Sequence, residues 1–131
     1  MQLEYVKTDK APSPLGSYSQ AVRMGNFLFV AGQVPLDPRT KKLVEGGIEA
    51  QTRRALENVK AIVETAGSSF AKVVKVTVFL KDMKDFEKMN DVYCTYFLKN
   101  PPARTTVQAQ LAMPELLIEI DAIACFTQHE P

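Results

Sequence analysis

A chain of 131 residues with 46% hydrophobic and 24% charged side chains is long enough to bury a core and has the composition of a soluble globular protein. No apolar run approaches the ~20 residues of a membrane span, and Met1-Gln2-Leu3-Glu4-Tyr5-Val6-Lys7 lacks the apolar stretch of a signal peptide; the expectation is a cytosolic protein, or an organellar one if a targeting segment has been lost. The formal charge of +1 makes no electrostatic case for nucleic acid, whose binding draws on several basic residues neutralising phosphates.

Leu3 to Lys7 reads as a weak first strand. The segments 19–24 and 27–33 flank Gly25-Asn26, a connection suited to a tight hairpin, so these strands are expected to be antiparallel neighbours. Pro35 to Lys42 reads as a loop with its Pro, Asp and basic residues exposed. From Ile48 to Ala66, the residues Ala55, Leu56, Val59, Ile62, Val63 and Ala66 recur at helical spacing, and Gly67 stands where a glycine ends a helix. The β-branched run 73–80 predicts a central strand. Phe86, Met89, Tyr93, Tyr96 and Phe97 mark a second amphipathic helix, stopped by Asn100-Pro101-Pro102. Two strands, 104–111 and 116–126, follow around Ala112-Met113-Pro114-Glu115.

The order βββ-α-β-α-ββ, with no repeat, linker or low-complexity tract, predicts one domain over residues 1–131. Its class is α+β, a mixed β-sheet with both helices packed on one face. The other face, half-apolar and carrying Leu117, Ile123, Val107 or their alternates, would be a large exposed patch on a monomer, which predicts oligomerisation.

Alternation along 116–126 puts Leu116, Ile118, Ile120, Ala122, Ala124 and Phe126 on one apolar face and Leu117, Glu119, Asp121, Ile123 and Cys125 on the other. A carboxylate in such a run costs several kcal/mol to desolvate unless partnered. On the preceding strand Arg104, Thr106, Gln108 and Gln110 share a face. If the two strands pair as a hairpin, their polar faces coincide. Arg104 then offers a fork matched to a carboxylate or phosphate, or is an ordinary arginine facing solvent. Thr106 offers a hydroxyl on the same face, or is simply a strand threonine. Glu119 is a general base or water-positioning group, or one half of a structural ion pair with Arg104 or a lysine. Composition and spacing leave these open.

Cys94 and Cys125 lie outside any C-x-x-C pattern and read as buried apolar residues rather than disulfide or zinc ligands. His129 is the only histidine, so neither a two-histidine mechanism nor a histidine-based metal site is expected.

Six segments, in order, carry a family resemblance: Gly16-Ser17-Tyr18-Ser19-Gln20-Ala21, the run 30–38 (VAGQVPLDP), the run 50–58 (AQTRRALEN), the run 76–83 (VTVFLKDM), Pro102-Ala103-Arg104-Thr105-Thr106-Val107, and Ile118-Glu119-Ile120-Asp121-Ala122-Ile123-Ala124. Together they resemble the RidA (YjgF/YER057c/UK114) family over nearly the whole chain. The resemblance implies a chorismate-mutase-like α+β fold and a homotrimer with clefts between subunits. It also implies hydrolysis of 2-imino or enamine acids, such as 2-iminobutanoate and 2-iminopropanoate, to 2-oxo acids and ammonia. No cofactor or metal is implied.

By the same resemblance, Arg104 clamps the substrate carboxylate, and Glu119 orients or activates the hydrolytic water. Thr106 lines the pocket, Tyr18 supplies a phenol or ring wall, and Asn90 supplies an amide. Without it, Tyr18 would read as a loop aromatic and Asn90 as a solvated helix residue. Two positions depart from the family pattern: Ser17 stands where a proline is common, and Ala31 where many relatives have serine. Two other readings compete. One is the endoribonuclease or translation inhibitor named for some members; a histidine-free pocket and near-neutral charge argue against a histidine acid/base mechanism for it. The other is a non-catalytic module, chaperone-like or binding small carboxylates in the same clefts.

Overall fold

The computed structural model describes residues 2–126; His129 lies outside them. In chain order the elements are β1 (Leu3–Val6), β2 (Ala21–Met24), β3 (Phe27–Gln33), α1 (Ile48–Thr65), β4 (Val73–Leu80), α2 (Phe86–Tyr96), β5 (Ala103–Gln108) and β6 (Ile118–Cys125). Their order in the one six-stranded sheet is β1-β2-β3-β6-β4-β5. The expected α+β class and the expected sequence of elements both hold.

α1 forms because its apolar residues make one stripe, and that stripe is buried: Ala55, Leu56, Val59, Ile62 and Val63 are at most 1% exposed. Gly67, at φ 98°, takes the left-handed conformation that ends the helix, and its N–H donates to the Glu64 carbonyl. Buried polar groups on α1 are bonded rather than stranded. Asn58 Nδ2 donates to the carbonyls of Val34 and Leu36, and Gln51 bridges the Glu115 carbonyl and the Leu117 N–H. The Asn58 bonds correct one expectation. In the segment read as an exposed loop, Pro35 and Leu36 are buried against α1, although Arg39, Lys41 and Lys42 are exposed.

Both helices cover the sheet face formed by Leu28, Val30, Val76, Val78, Leu80, Ile118, Ile120, Ala122 and Ala124. Full burial of each Leu, Ile or Val there contributes about 1.5–3 kcal/mol. The opposite face carries Tyr5, Met24, Phe27, Phe29 and Val107, which are 37–67% exposed. Ile123 joins them, while Leu117 packs against the core instead. An uncovered, half-apolar face is therefore present, as the alternation leads one to expect, with Lys75, Thr77, Thr105, Glu119 and Asp121 set among its apolar residues.

The terminal strands do not pair. β6 lies between β3 and β4, antiparallel to both, while β5 runs parallel to β4 at the sheet edge. The reason is the difference in the two strands' helix-side faces. β6 presents Ile118, Ile120, Ala122 and Ala124 to the helices, each at most 2% exposed, so it is most stable at the centre. β5 presents Arg104, Thr106 and Gln108, which suit an edge. The α2 crossover also returns the chain directly beside β4 in parallel.

Candidate functional site

The strand order separates Arg104 from Glu119. In the β4–β5 ladder Arg104 pairs with Val76 and Thr106 with Val78, both residues of the helix-covered face. In the β4–β6 ladder Glu119 pairs with Phe79, on the other face. The coinciding polar faces expected from a hairpin do not occur, and the Arg104–Glu119 ion pair is excluded within one chain. Arg104 and Thr106 do share a face, as the alternation requires.

Around Arg104, α2 supplies the surroundings. Arg104 Nη1 donates to Asn90 Oδ1 at 2.7 Å. The guanidinium carbon lies 4.7 Å from the centre of the Tyr93 ring and 5.4 Å from that of Phe86, within cation–π range. Asn90 and Tyr93 are three apart on the helix and Phe86 is four before Asn90, so one helix face presents all of them to β5. Among the described residues no carboxylate pairs with Arg104; the ion pairs are Arg23–Glu4 and Arg39–Asp37. A pocket of about 370 Å³ opens here, lined by Asn90, Tyr93, Cys94, Pro101, Pro102 and Arg104 among others. Cys94 is exposed, against the expectation of burial, because it sits one residue past Tyr93 and off the apolar stripe. Cys125 is half-buried.

Two hydroxyls beside Arg104, Thr106 Oγ1 and Tyr93 Oη, are buried with no partner among the described residues. Tyr93 escaped the sequence reading as a site residue because it belongs to the apolar stripe. Its proximity to Arg104 depends on β5 lying beside β4 under α2.

Glu119 lies in a second pocket of about 400 Å³, with Leu15, Gly16, Tyr18, Ala31, Gly32, Val34 and Ala112. Burial, and secondly the Asp121 carboxylate two residues along the strand, push its pKa above the ordinary glutamate value. Asp121 itself accepts a hydrogen bond from the Thr77 N–H at 3.2 Å. Tyr18 is held by its own loop: its Oη accepts from the Leu15 N–H at 3.1 Å, and its N–H donates to the Gly16 carbonyl. The ring thus folds back over Gly16 and walls the pocket. The residues named from the sequence therefore form two groups, Arg104 with Asn90 and Thr106, and Glu119 with Tyr18. Among the described residues no three His, Cys, Asp or Glu side chains lie together as a metal site.

The endoribonuclease L-PSP family matches residues 8–126. The chain belongs to this family, the RidA/YjgF/RutC group. Among L-PSP relatives, a RutC family protein of Pyrococcus abyssi is 54% identical over 124 residues, covering 95% of this chain and 98% of that one. The 2-iminobutanoate/2-iminopropanoate deaminase of Rattus norvegicus is 43% identical over 119 residues, covering 91% and 87%. The solved structure of E. coli TdcF with bound serine is 38% identical and superposes with a TM-score of 0.88 over 93% of this chain and 98% of that one. The L-PSP fold thus agrees with the sheet and helices described above.

Proposed function

We propose that this protein hydrolyses 2-imino acids of the 2-iminobutanoate and 2-iminopropanoate type to 2-oxo acids and ammonia, in a cleft formed by two copies of the chain. The observation that carries this reading is Arg104, steadied by Asn90 and the Tyr93 ring and unpaired with any described carboxylate, beside an open pocket. Such a guanidinium suits a small carboxylate through two parallel hydrogen bonds. The deaminase name of the rat relative and the serine held by the E. coli relative, itself a small carboxylic acid, support the same substrate class.

Because Arg104 and Glu119 face opposite sides of one sheet, the cleft takes Arg104, Asn90 and Thr106 from one protomer and Glu119 and Tyr18 from its neighbour. A closed homotrimer makes three such clefts by repeating one head-to-tail interface. The apolar face that the helices leave bare is the surface available for that packing.

With the substrate carboxylate on Arg104, the imine carbon is held for attack, and an encounter with water becomes an oriented step. Glu119 accepts a proton as the water oxygen bonds to that carbon. Glu119 then passes that proton to the nitrogen of the carbinolamine, the C–N bond breaks with its electron pair leaving on ammonia, and the hydroxyl proton passes to the Glu119 carboxylate as the 2-oxo group forms. An ionised Glu119 with a raised pKa is a stronger base for the first transfer.

The test generates imines in situ with an amino-acid oxidase and follows 2-oxo acid release. A rate above buffer that disappears in Arg104→Ala supports the hydrolase. A wild-type rate equal to buffer sinks it. RNA cleavage that survives extensive purification and is lost in Arg104→Ala would favour the endoribonuclease reading.

A further inference from the structure

The β3–β6 ladder contains an irregularity beside Glu119. Val30 pairs with Ala122 and Gln33 with Ile120, so Ala31 and Gly32 together oppose Asp121, forming a β-bulge. Val30 and Gln33 are both 5% exposed. The extra residue lets both turn inward and leaves Ala31 and Gly32 lining the Tyr18 pocket.

Backbone geometry does not require glycine at position 32. The glycines at positive φ are Gly25, Gly46 and Gly67, so an L-residue meets no left-handed strain at Gly32. The obstacle to a side chain is Glu119. A Cβ on residue 32 would overlap Glu119 Oε2 and stand 2.9 Å from its Cδ and 3.1 Å from its Cγ. We propose that Gly32 is a positioning residue for the reaction: the space left by its missing side chain holds the Glu119 carboxylate against the β3 bulge, inside the pocket walled by Tyr18. The catalytic consequence rests on the imine-hydrolase reading; the geometric one does not.

The Glu119 carboxylate has few charged neighbours. Asp121 shares its face on β6, β4 presents Phe79 opposite with Thr77 and Lys75 further along, and Tyr18 lies across the pocket. The β3 bulge contributes only Ala31 and Gly32. Displacing the carboxylate towards water therefore removes the desolvation that raises its pKa.

Gly32→Ala tests this selectively, because the new methyl meets the end of a flexible side chain rather than backbone. The expected variant keeps the wild-type unfolding midpoint and oligomeric state. Its kcat falls on the order of 100-fold, the scale of a 1 Å misplacement, while KM changes little because Arg104 is untouched. The acid limb of its pH–rate profile moves to lower pH. Shortening the carboxylate arm in Gly32→Ala/Glu119→Asp raises the rate above that of Gly32→Ala alone, and Gly32→Ala has no further effect in a Glu119→Gln background. A wild-type kcat and pH profile in Gly32→Ala, or an equal loss in both backgrounds, overturns the proposal.

A readout independent of turnover keeps the two ideas apart. Carbon NMR titration of the Glu119 carboxyl should show its pKa falling towards the ordinary glutamate value in Gly32→Ala. An unchanged titration overturns the role of Gly32 even if imines are hydrolysed. A wild-type protein that hydrolyses no imine defeats the proposed activity while this titration still decides Gly32.

Discussion

Arg104 and Glu119 lie on opposite faces of one sheet, with β4 running between the strands that carry them. Within one protomer they line separate pockets. Mixing inactive Arg104→Ala and Glu119→Ala chains, then unfolding and refolding them together, should therefore restore turnover. Random assortment into head-to-tail rings leaves about one quarter of the clefts with both native residues. Imine hydrolysis assayed before and after mixing checks this; no recovery would return the site to a single chain.

Replacing Arg104 by lysine keeps the charge but loses the planar fork and the stacking on Tyr93. We expect kcat/KM to fall by a factor on the order of 100, corresponding to about 2.7 kcal/mol of lost transition-state binding. Circular dichroism and the oligomeric state should be unchanged. Near-wild-type kcat/KM would mean that the fork does not hold the substrate.

Glu119 titrates above its ordinary value because of desolvation and, secondly, Asp121. The folded chain therefore holds this proton more tightly than the unfolded chain does. Ionising Glu119 costs stability, a cost that is absent below the ordinary carboxylate range and complete once pH exceeds the raised value. Glu119→Gln should keep only a small, measurable fraction of the wild-type rate, and should melt higher than wild type at neutral pH, with the difference closing below about pH 4. Calorimetry across pH checks the sign, and a lower melting point for Glu119→Gln at pH 7 would contradict it.

Gln20 is 2% exposed and ties the segment before β2 together. Its Nε2 donates to the carbonyls of Thr8, Ala11 and Pro12, and its Oε1 accepts from the Thr8 N–H. Gln20→Ala leaves several of these groups unpaired, and we expect a loss of about 2–4 kcal/mol in denaturant unfolding. Because this segment leads into the Tyr18 loop, substrate binding should weaken as well.

Tyr93→Phe keeps the ring beneath Arg104 and removes a buried hydroxyl that has no partner among the described residues. The variant should be at least as stable as wild type, by up to about 1–3 kcal/mol, the range for an unsatisfied buried group. Denaturant titration checks it. A clear destabilisation would show that the hydroxyl has a partner in the assembled protein.

The elements were legible in the sequence because each announces itself over a short window. The α1 stripe from Ala55 to Val63 and the alternation from Ile118 to Phe126 both appear as expected. Strand order was less accessible, since consecutive strands usually pair and the chain between 104 and 126 resembles a hairpin. The contrary signal lay in composition: Arg104, Thr106 and Gln108 could not occupy the central place that Ile118 and Ile120 could. Glu119 and Tyr18 do meet in one pocket, whereas Arg104 does not join them. No periodicity could have revealed the Ala31–Gly32 bulge, which depends on how β3 is matched against a strand almost a hundred residues later.

The insertion of β6 between β3 and β4 also bears on how the protein is made. While a ribosome still holds β6, β3 and β4 each present an unpaired edge, and α1 has no central strand beneath it. The sheet can close only when the segment carrying Glu119 emerges, a long-range event that belongs late in folding. Until then the nascent chain is open to strand-exchange with its neighbours and to chaperone capture. A chain cut short before Ile118 lacks both the central strand of its core and the Glu119 carboxylate.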